Sequence, residues 1–142
     1  MNWTLEVVCV PVSDVDRAKA FYVEQLGFAV DHDTRIGPDN RIVQLTPPGS
    51  GCSVVIGNDV VPMKPGTLQG LQLVVADVHA ARDELAGRGV DVGPVQVYAP
   101  DGLREERPGD DLDNVGFLHF ADPDGNGWSV QQISARGRSA AG

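Results

Sequence analysis

Cysteine and aromatic residues are scarce in this chain of 142 residues, and each scarcity excludes a class of protein. Only Cys9 and Cys52 are present, and two cysteines without a Cys-x-x-Cys motif exclude a disulfide framework. Aromatic residues make up 6% of the sequence, which argues against a pocket built from stacked aromatic rings. We therefore expect a protein that works in the reducing environment of the cytoplasm.

Positive charge and long apolar runs are scarce as well. Lys and Arg number 11 against 20 Asp and Glu, so the formal net charge is −9. An acidic surface repels phosphate backbones, and we therefore expect no nucleic-acid partner. No apolar run approaches the roughly 20 residues that span a bilayer, and the apolar start of the chain contains Glu6 and lacks the basic residues of a signal peptide. We therefore expect no membrane partner.

The chain contains an internal repeat. Val12–Val30 (VSDVDRAKAFYVEQLGFAV) and Val75–Val92 (VADVHAARDELAGRGVDV) share valine, aspartate, valine and alanine at a constant offset, and a glycine follows in each. Apolar residues recur with helical spacing in both stretches, which predicts helices over Asp14–Gln25 and Asp77–Arg88. One apolar strand precedes each helix, and three strand-like segments follow it.

This order predicts an α+β fold of two βαβββ modules. The modules span about residues 4–57 and 68–134, with a linker at 58–67 and a frayed tail at 135–142. We expect the whole chain to form a single domain. Its eight strands are predicted to form one curved mixed sheet, with the helices outside and a concave face that provides a ligand cavity.

Two motifs stand near the ends of the repeat: VSDVDRAKAFYVEQLGF, which begins at Val12, and DPDGNGWSVQQI, which begins at Asp122. They resemble the vicinal oxygen chelate superfamily, which includes glyoxalase I, extradiol dioxygenases and bleomycin-resistance proteins. The resemblance covers about Leu5 to Ser134. It implies the fold and a homodimer, because members with short modules commonly pair. It leaves the function open, because the superfamily hosts several chemistries as well as non-catalytic binders.

The resemblance also implies where a metal would be held. Family enzymes carry one ligand on the first strand and one on the last strand of each module. The corresponding positions here are Val7, Ser53, Gly70 and Ser129. Valine, glycine and two neutral hydroxyls are poor ligands for a divalent ion, which binds imidazole, carboxylate or thiolate groups. We therefore expect no metal and no other cofactor.

Strand alternation predicts which side chains share the face of these four positions. His119 is the candidate catalytic residue, because it is the titratable side chain that parity places in the cavity. A semi-buried structural histidine is the alternative reading. The candidate substrate-binding residues are Cys9, Gln72, Tyr98, Phe117, Ser129 and Gln131.

Two further features have competing interpretations. His32 is read as a surface strand residue, and a catalytic pair of His32 with Asp33 is the alternative. The charged segment Ala99–Asn114 is read either as a flexible surface loop or as a lid over the cavity. In the second reading, Arg104 and Arg107 meet an anionic substrate, whereas the many carboxylates of the segment favour a cationic one.

Three functions are compatible with these observations. The first is a metal-independent isomerase, lyase or cyclase that acts on a small organic molecule, with acid–base chemistry by His119. The second is a non-catalytic protein that sequesters a small molecule, as bleomycin-resistance proteins do. The third is a metalloenzyme of glyoxalase or dioxygenase type, which the vacant ligand positions argue against.

Overall fold

The computed structural model describes residues 1–136 and contains nine strands and two α-helices in that range. The predicted fraying of the tail concerns mainly residues 137–142, which lie outside the described residues. The helices are α1 Val15–Ala20, which continues as a π-helical segment over Phe21–Gln25, and α2 Val78–Gly87. The strands are β1 Val7–Cys9, β2 Ala29–Arg35, β3 Arg41–Thr46, β4 Ser53–Gly57, β5 Leu71–Val75, β6 Gln96–Ala99, β7 Gly102–Glu105, β8 Gly116–Ala121 and β9 Gly127–Gln132.

The strands form two sheets rather than the single eight-stranded sheet expected from the sequence. One sheet has four strands in the order β1-β4-β3-β2, and the other has five in the order β5-β9-β8-β6-β7. The pairs β1–β4 and β5–β9 are parallel, and the other pairs are antiparallel. The mixed pairing and the separate helices confirm the α+β class.

The second module contains one strand more than the sequence predicted. The hairpin of β6 and β7 extends into the segment that was read as a surface loop or a lid. In the first strand of this hairpin, pairing covers only Gln96–Ala99. Pro94 has no backbone N–H to contribute to a ladder, which explains why pairing begins after it.

The chain divides into two compact units, which are described separately. Unit 1 comprises Met1–Leu68 together with Asp122–Asn126, and unit 2 comprises Gln69–Ala121 and the chain from Gly127 onward. The predicted single domain stays a prediction. No helix within residues 1–136 has the length and hydropathy of a bilayer-spanning segment.

Unit 1 has a hydrophobic core between its sheet and the α1 segment. The Asp14 side chain caps α1 by accepting a hydrogen bond from the Arg17 backbone N–H, and Gly27 ends the helical segment with a φ of 78°. These are the positions at which the repeat predicted the ends of the first helix. The fully buried side chains of this core are Val10, Ala18, Tyr22, Val43, Leu45 and Ile56.

The turn Asp122–Asn126 packs inside unit 1. The Asp122 Oδ1 atom accepts hydrogen bonds from the backbone N–H groups of Asp124, Gly125 and Asn126. The Tyr22 hydroxyl donates to Asp122 Oδ2 at 2.8 Å. The Asn126 amide is fully buried and donates to the Pro11 carbonyl and to Asp122 Oδ2, at 2.8 Å each. The DPDGN motif therefore has a structural role, because it satisfies its own buried polar groups.

Unit 2 is built on the same plan. The Asp77 side chain caps α2 by accepting from the backbone N–H groups of His79 and Ala80. Alternate residues of β8 and β9 are buried on the side of α2, and the rings of Phe120 and Trp128 stack there with centroids 6.1 Å apart. The intervening residues of both strands therefore lie on the opposite face, which we call the open face of unit 2.

Candidate functional site

The open face of unit 2 carries most of the predicted site residues. The sheet register places His119 beside Ser129, Phe117 beside Gln131, and Gln72 beside Ser129 on its other side. Gln96 is the neighbour of Phe117 on β6, and Tyr98 follows two positions later on the same face. The face thus includes Gln72, Val74, Gln96, Tyr98, Leu103, Glu105, Phe117, His119, Ser129 and Gln131.

Amide and hydroxyl groups on this face form a chain of hydrogen bonds. The Gln72 Nε2 group donates to Gln131 Oε1 at 2.6 Å, and the Ser129 hydroxyl donates to Gln72 Oε1 at 3.1 Å. The Gln131 Nε2 group donates to the Asn114 carbonyl at 2.7 Å. These bonds fix the orientation of both glutamines.

His119 lies at the centre of this face, on the side of β8 away from α2, and its side chain is exposed. Its Nδ1 atom is 2.9 Å from Gln96 Oε1. Because a glutamine oxygen only accepts, Nδ1 carries the proton, and the Nε2 atom of the neutral ring is an acceptor. The Phe117 ring stacks on the imidazole with centroids 6.5 Å apart. The catalytic role of His119 stays a prediction.

Tyr98 and Arg104 differ in their availability to a ligand. Tyr98 is 63% exposed and lies opposite Leu103 in the hairpin. Arg104 instead forms two hydrogen bonds to Asp110, at 2.9 and 3.0 Å. This guanidinium and the backbone N–H of Arg107 lower the pKa of Asp110 to about 2. Arg104 is therefore engaged within its own loop, which corrects the reading in which it meets an anionic substrate.

Unit 1 has an open face of its own, which contains the remaining predicted residues. Its members alternate with the buried residues of β3, and the sheet register extends the face to β4 and β1. Cys9 lies there beside Val55, and Val7 lies beside Ser53. Cys9 therefore belongs to a different unit from the other candidate binding residues.

The positions implied for a metal do not fit one. Val7 and Ser53 are neighbours in unit 1, but in unit 2 the register pairs Ser129 with Gln72 rather than with Gly70. The Ser53 hydroxyl already contacts Thr46 Oγ1 at 2.6 Å. Within residues 1–136, no three His, Cys, Asp or Glu side chains come close enough together to hold an ion. The side chains at these positions therefore offer a divalent ion no set of ligands.

A β-bulge brings two further residues onto the open face of unit 1. The register of β2 against β3 shifts between Val30 and His32, so the side chains of Asp31 and His32 both contact Gln44. A bulge adds a residue to one strand and redirects the side chains around it. Sequence alternation places Asp31 and His32 on opposite faces, and no glycine in AVDHDTR marks the bulge. The sequence therefore did not predict that Asp31 and His32 lie on the same face.

Asp33 lies on the other face of β2 and does not pair with His32. It accepts hydrogen bonds from Arg41 Nε at 3.0 Å, Arg41 Nη2 at 2.8 Å and Lys19 Nζ at 2.8 Å. Arg41 is 7% exposed and also bonds Asp16 at 2.6 Å. The Arg41 and Lys19 hydrogen bonds hold the pKa of Asp33 well below its ordinary value. This network is structural and replaces the alternative of a His32–Asp33 catalytic pair.

Two units of this kind, each with a helix on one face of its sheet and the other face open, are characteristic of the vicinal oxygen chelate class. Comparison with known sequences leads to the same class. The model of the Glyoxalase/Bleomycin resistance protein/Dioxygenase superfamily matches residues 4–130, so the chain belongs to this superfamily. No functionally curated protein matches the sequence.

Similar solved structures come from bacteria. TnmS3, an antibiotic binding protein from Streptomyces sp. CB03234, is 34% identical over 94% of this chain and 98% of its own, with a TM-score of 0.71. A glyoxalase/bleomycin resistance protein from the same organism is also 34% identical, over 91% of this chain and 100% of its own, with a TM-score of 0.68. A superfamily member from Sphaerobacter thermophilus DSM 20745 is 28% identical over 92% and 98%, with a TM-score of 0.72.

Proposed function

We propose that the protein binds a small organic molecule and sequesters it, as an antibiotic-binding member of its superfamily. The observation that carries this proposal is the 34% identity, over nearly the full length of both chains, to an antibiotic binding protein. The open face of unit 2 supports it, because an aromatic ring lies there beside oriented amide groups. Binding sites for small molecules combine apolar surface with a few placed polar groups in this way.

The binding residues of this proposal are those that the sequence selected. Phe117 and Tyr98 provide apolar surface, and Gln72, Ser129 and Gln131 provide hydrogen-bonding groups. The Gln72 and Gln131 side chains are held by each other, so they lose little further conformational freedom when a ligand binds. Cys9 lies on the open face of unit 1, so the role proposed for it is limited to contact with a ligand on that face.

A panel of natural-product antibiotics tests this proposal by thermal shift and by calorimetry. We expect at least one compound to raise the melting temperature, and Phe117→Ala to weaken its binding by about 1–3 kcal/mol, the range for one buried apolar side chain. Ile36→Ala is the matched control, because Ile36 is 63% exposed, follows the end of β2 in unit 1 and is not part of the open face of unit 2. Equal losses in the two variants would contradict the placement of the ligand.

A metal-independent lyase or isomerase is the second candidate, and the His119 geometry favours it. The bond to Gln96 leaves Nε2 of the neutral ring as an acceptor on the open face, which is the arrangement of a general base. Mass spectrometry of each bound compound after incubation tests for turnover. His119→Gln should lower turnover about 10²–10⁴-fold if His119 is the base. If the protein only binds, the same change should alter affinity by about 1–3 kcal/mol and no product should form.

We also propose that the chain forms a homodimer in the cytoplasm. Val74, Tyr98 and Leu103 are 38%, 63% and 42% exposed on the open face of unit 2, and such apolar exposure is characteristic of interfaces and binding sites. Light scattering over a range of concentrations should give twice the mass of the chain. A constant monomer mass would contradict this part of the proposal and leave ligand binding intact.

A further inference from the structure

The bulge in β2 assembles a cluster of polar side chains that the proposed function does not use. The cluster consists of Asp31, His32, Gln44, Thr46 and Ser53, all on the open face of unit 1. Ser53 is 7% exposed and forms its floor, whereas Asp31 and His32 are exposed at its edge. The cluster therefore has a buried polar base and an accessible rim.

The donor and the acceptor of each hydrogen bond in the cluster can be assigned. The Thr46 hydroxyl donates its only proton to Asp31 Oδ2, so Thr46 Oγ1 accepts from Ser53 Oγ at 2.6 Å. The Gln44 Nε2 group lies 3.4 Å from both Asp31 Oδ2 and Ser53 Oγ. Gln44 Oε1 then accepts from His32 Nε2 at 3.3 Å. The protons that these groups donate are therefore all directed at acceptors within the cluster.

The atoms that the network leaves available to a ligand are acceptors. Asp31 Oδ1 receives no hydrogen bond from any described residue, and Nδ1 of the neutral His32 ring is an acceptor because Nε2 donates. The apolar side chains of Ile42 and Val55 lie on the same face, next to Gln44 in the sheet. A complementary ligand therefore presents hydrogen-bond donors together with apolar surface.

The charge of Asp31 indicates that the donor group of the ligand is cationic. Asp31 has no basic side chain within ion-pair distance in the described part of the chain, whereas Asp33, two residues away, is paired with both Lys19 and Arg41 on the opposite face. Asp31 is thus a carboxylate held in place by neutral groups. The net charge of −9 adds a long-range attraction for cations.

We infer that this cluster binds the primary ammonium group of an otherwise apolar small molecule, with Asp31 as the counter-ion and His32 as a second acceptor. The inference goes beyond the proposed function, because it concerns a second binding surface, the open face of unit 1, and does not use the residues of unit 2. Of the three N–H donors of an ammonium group, two are then accepted by Asp31 Oδ1 and His32 Nδ1. The aromatic or aliphatic body of the ligand covers Ile42 and Val55.

Three fluorescent naphthalene probes of matched size test the inference: 1-naphthylmethylamine, 1-naphthalenemethanol and 1-naphthoate. We expect the amine to bind about 10- to 100-fold more tightly than the alcohol, because hydrogen bonds to charged groups are stronger than neutral ones, and the carboxylate to bind least. Asp31→Asn should reduce the preference for the amine to less than about threefold. Asp39→Asn is the control of equal charge, because Asp39 is exposed and forms no hydrogen bond or ion pair within residues 1–136.

The outcomes separate this inference from the proposed function. Equal affinity for the amine and the alcohol in the wild-type protein would overturn the inference, and antibiotic binding would remain intact. An amine preference that survives Asp31→Asn, or that Asp39→Asn removes equally, would also overturn it, because net charge alone would then explain the selectivity. Failure of all three probes would overturn it as well, and the antibiotic panel would still decide the proposed function independently.

Discussion

Aspartates separated by one position along β2 have different roles in unit 1. Asp33 faces the helix side, where it pairs with Lys19 and shares Arg41 with Asp16, whereas Asp31 faces the open side among hydroxyl and amide groups. Arg41 is buried at the centre of the first group. A buried guanidinium is costly unless carboxylates compensate it, so Asp33 contributes to folding and Asp31 is free to serve binding.

The first prediction concerns this ion network. Asp33→Asn leaves the Arg41 guanidinium with Asp16 as its remaining carboxylate. We expect the free energy of unfolding to fall by about 1–3 kcal/mol, below the range for a fully buried pair because Asp33 is partly exposed. Urea denaturation measures the effect. Asp39→Asn should leave stability nearly unchanged, and a loss as large as that of Asp33→Asn would mean that net charge, rather than the pair, is responsible.

At the scale of elements, the β6–β7 hairpin and the loop after it are ordered where the sequence indicated mobility. Asp110 closes the loop by accepting two bonds from Arg104 and one from the Arg107 backbone N–H at 2.6 Å. Two of the charges that made this segment look solvated, Arg104 and Asp110, are therefore paired with each other. The identity of the partners depends on how the hairpin bends the chain, which composition does not show.

The second prediction is the acid behaviour of this loop. The pKa of Asp110 is lowered to about 2, so the stabilisation it provides is fully present above the unfolded value of about 3.9 and is lost as the pH falls through 2. At pH 3, which is about one unit below the unfolded pKa, carbon NMR should show that the Asp110 carboxyl group is still ionised.

The control for this prediction compares two arginines. Arg104→Gln should raise the pKa of Asp110 toward its ordinary value, because it removes the largest cause of the shift. Arg107→Gln should raise it less, since the backbone N–H of residue 107 still donates to Asp110. The assignment fails if both variants titrate alike.

For the molecule as a whole, membership of the family accounts for the fold, while the positions implied for a metal carry side chains that are poor ligands. The superfamily model covers residues 4–130, yet Val7, Ser53, Gly70 and Ser129 stand where the resemblance implies metal ligands. The open face of unit 1 instead carries a hydroxyl, an amide and a carboxylate in a hydrogen-bonded network around Ser53. Hydrogen-bonded polar side chains thus surround the position at which the resemblance implies a metal ligand of unit 1.

The third prediction follows from these positions. Elemental analysis of protein purified without chelators should find far less than one equivalent of zinc, nickel, iron or manganese, because such ions bind imidazole, carboxylate and thiolate ligands. Near-stoichiometric metal that is lost on substitution of Ser53 or Ser129 would contradict the prediction. Metal that survives both substitutions would indicate a site elsewhere and would contradict it equally.

The sequence by itself determined the features that depend on near neighbours. The repeat located both helices and the glycines that end them, with φ values of 78° and 83° at Gly27 and Gly89. The alternation in β8 and β9 placed His119 and Ser129 on the face away from α2. Helix periodicity, capping and strand alternation are local properties, so the order of the residues alone specifies them.

Only the tertiary structure decided the features that depend on distant partners. The division into sheets of four and five strands and the β6–β7 pairing both follow from contacts between separate segments. The bulge at Asp31 depends on how β2 aligns with β3. A shift of one residue moves a side chain to the other face of a sheet, and the energy that selects the register comes from side chains on the neighbouring strand. Asp31 and His32 therefore became visible as a pair only when the register was known.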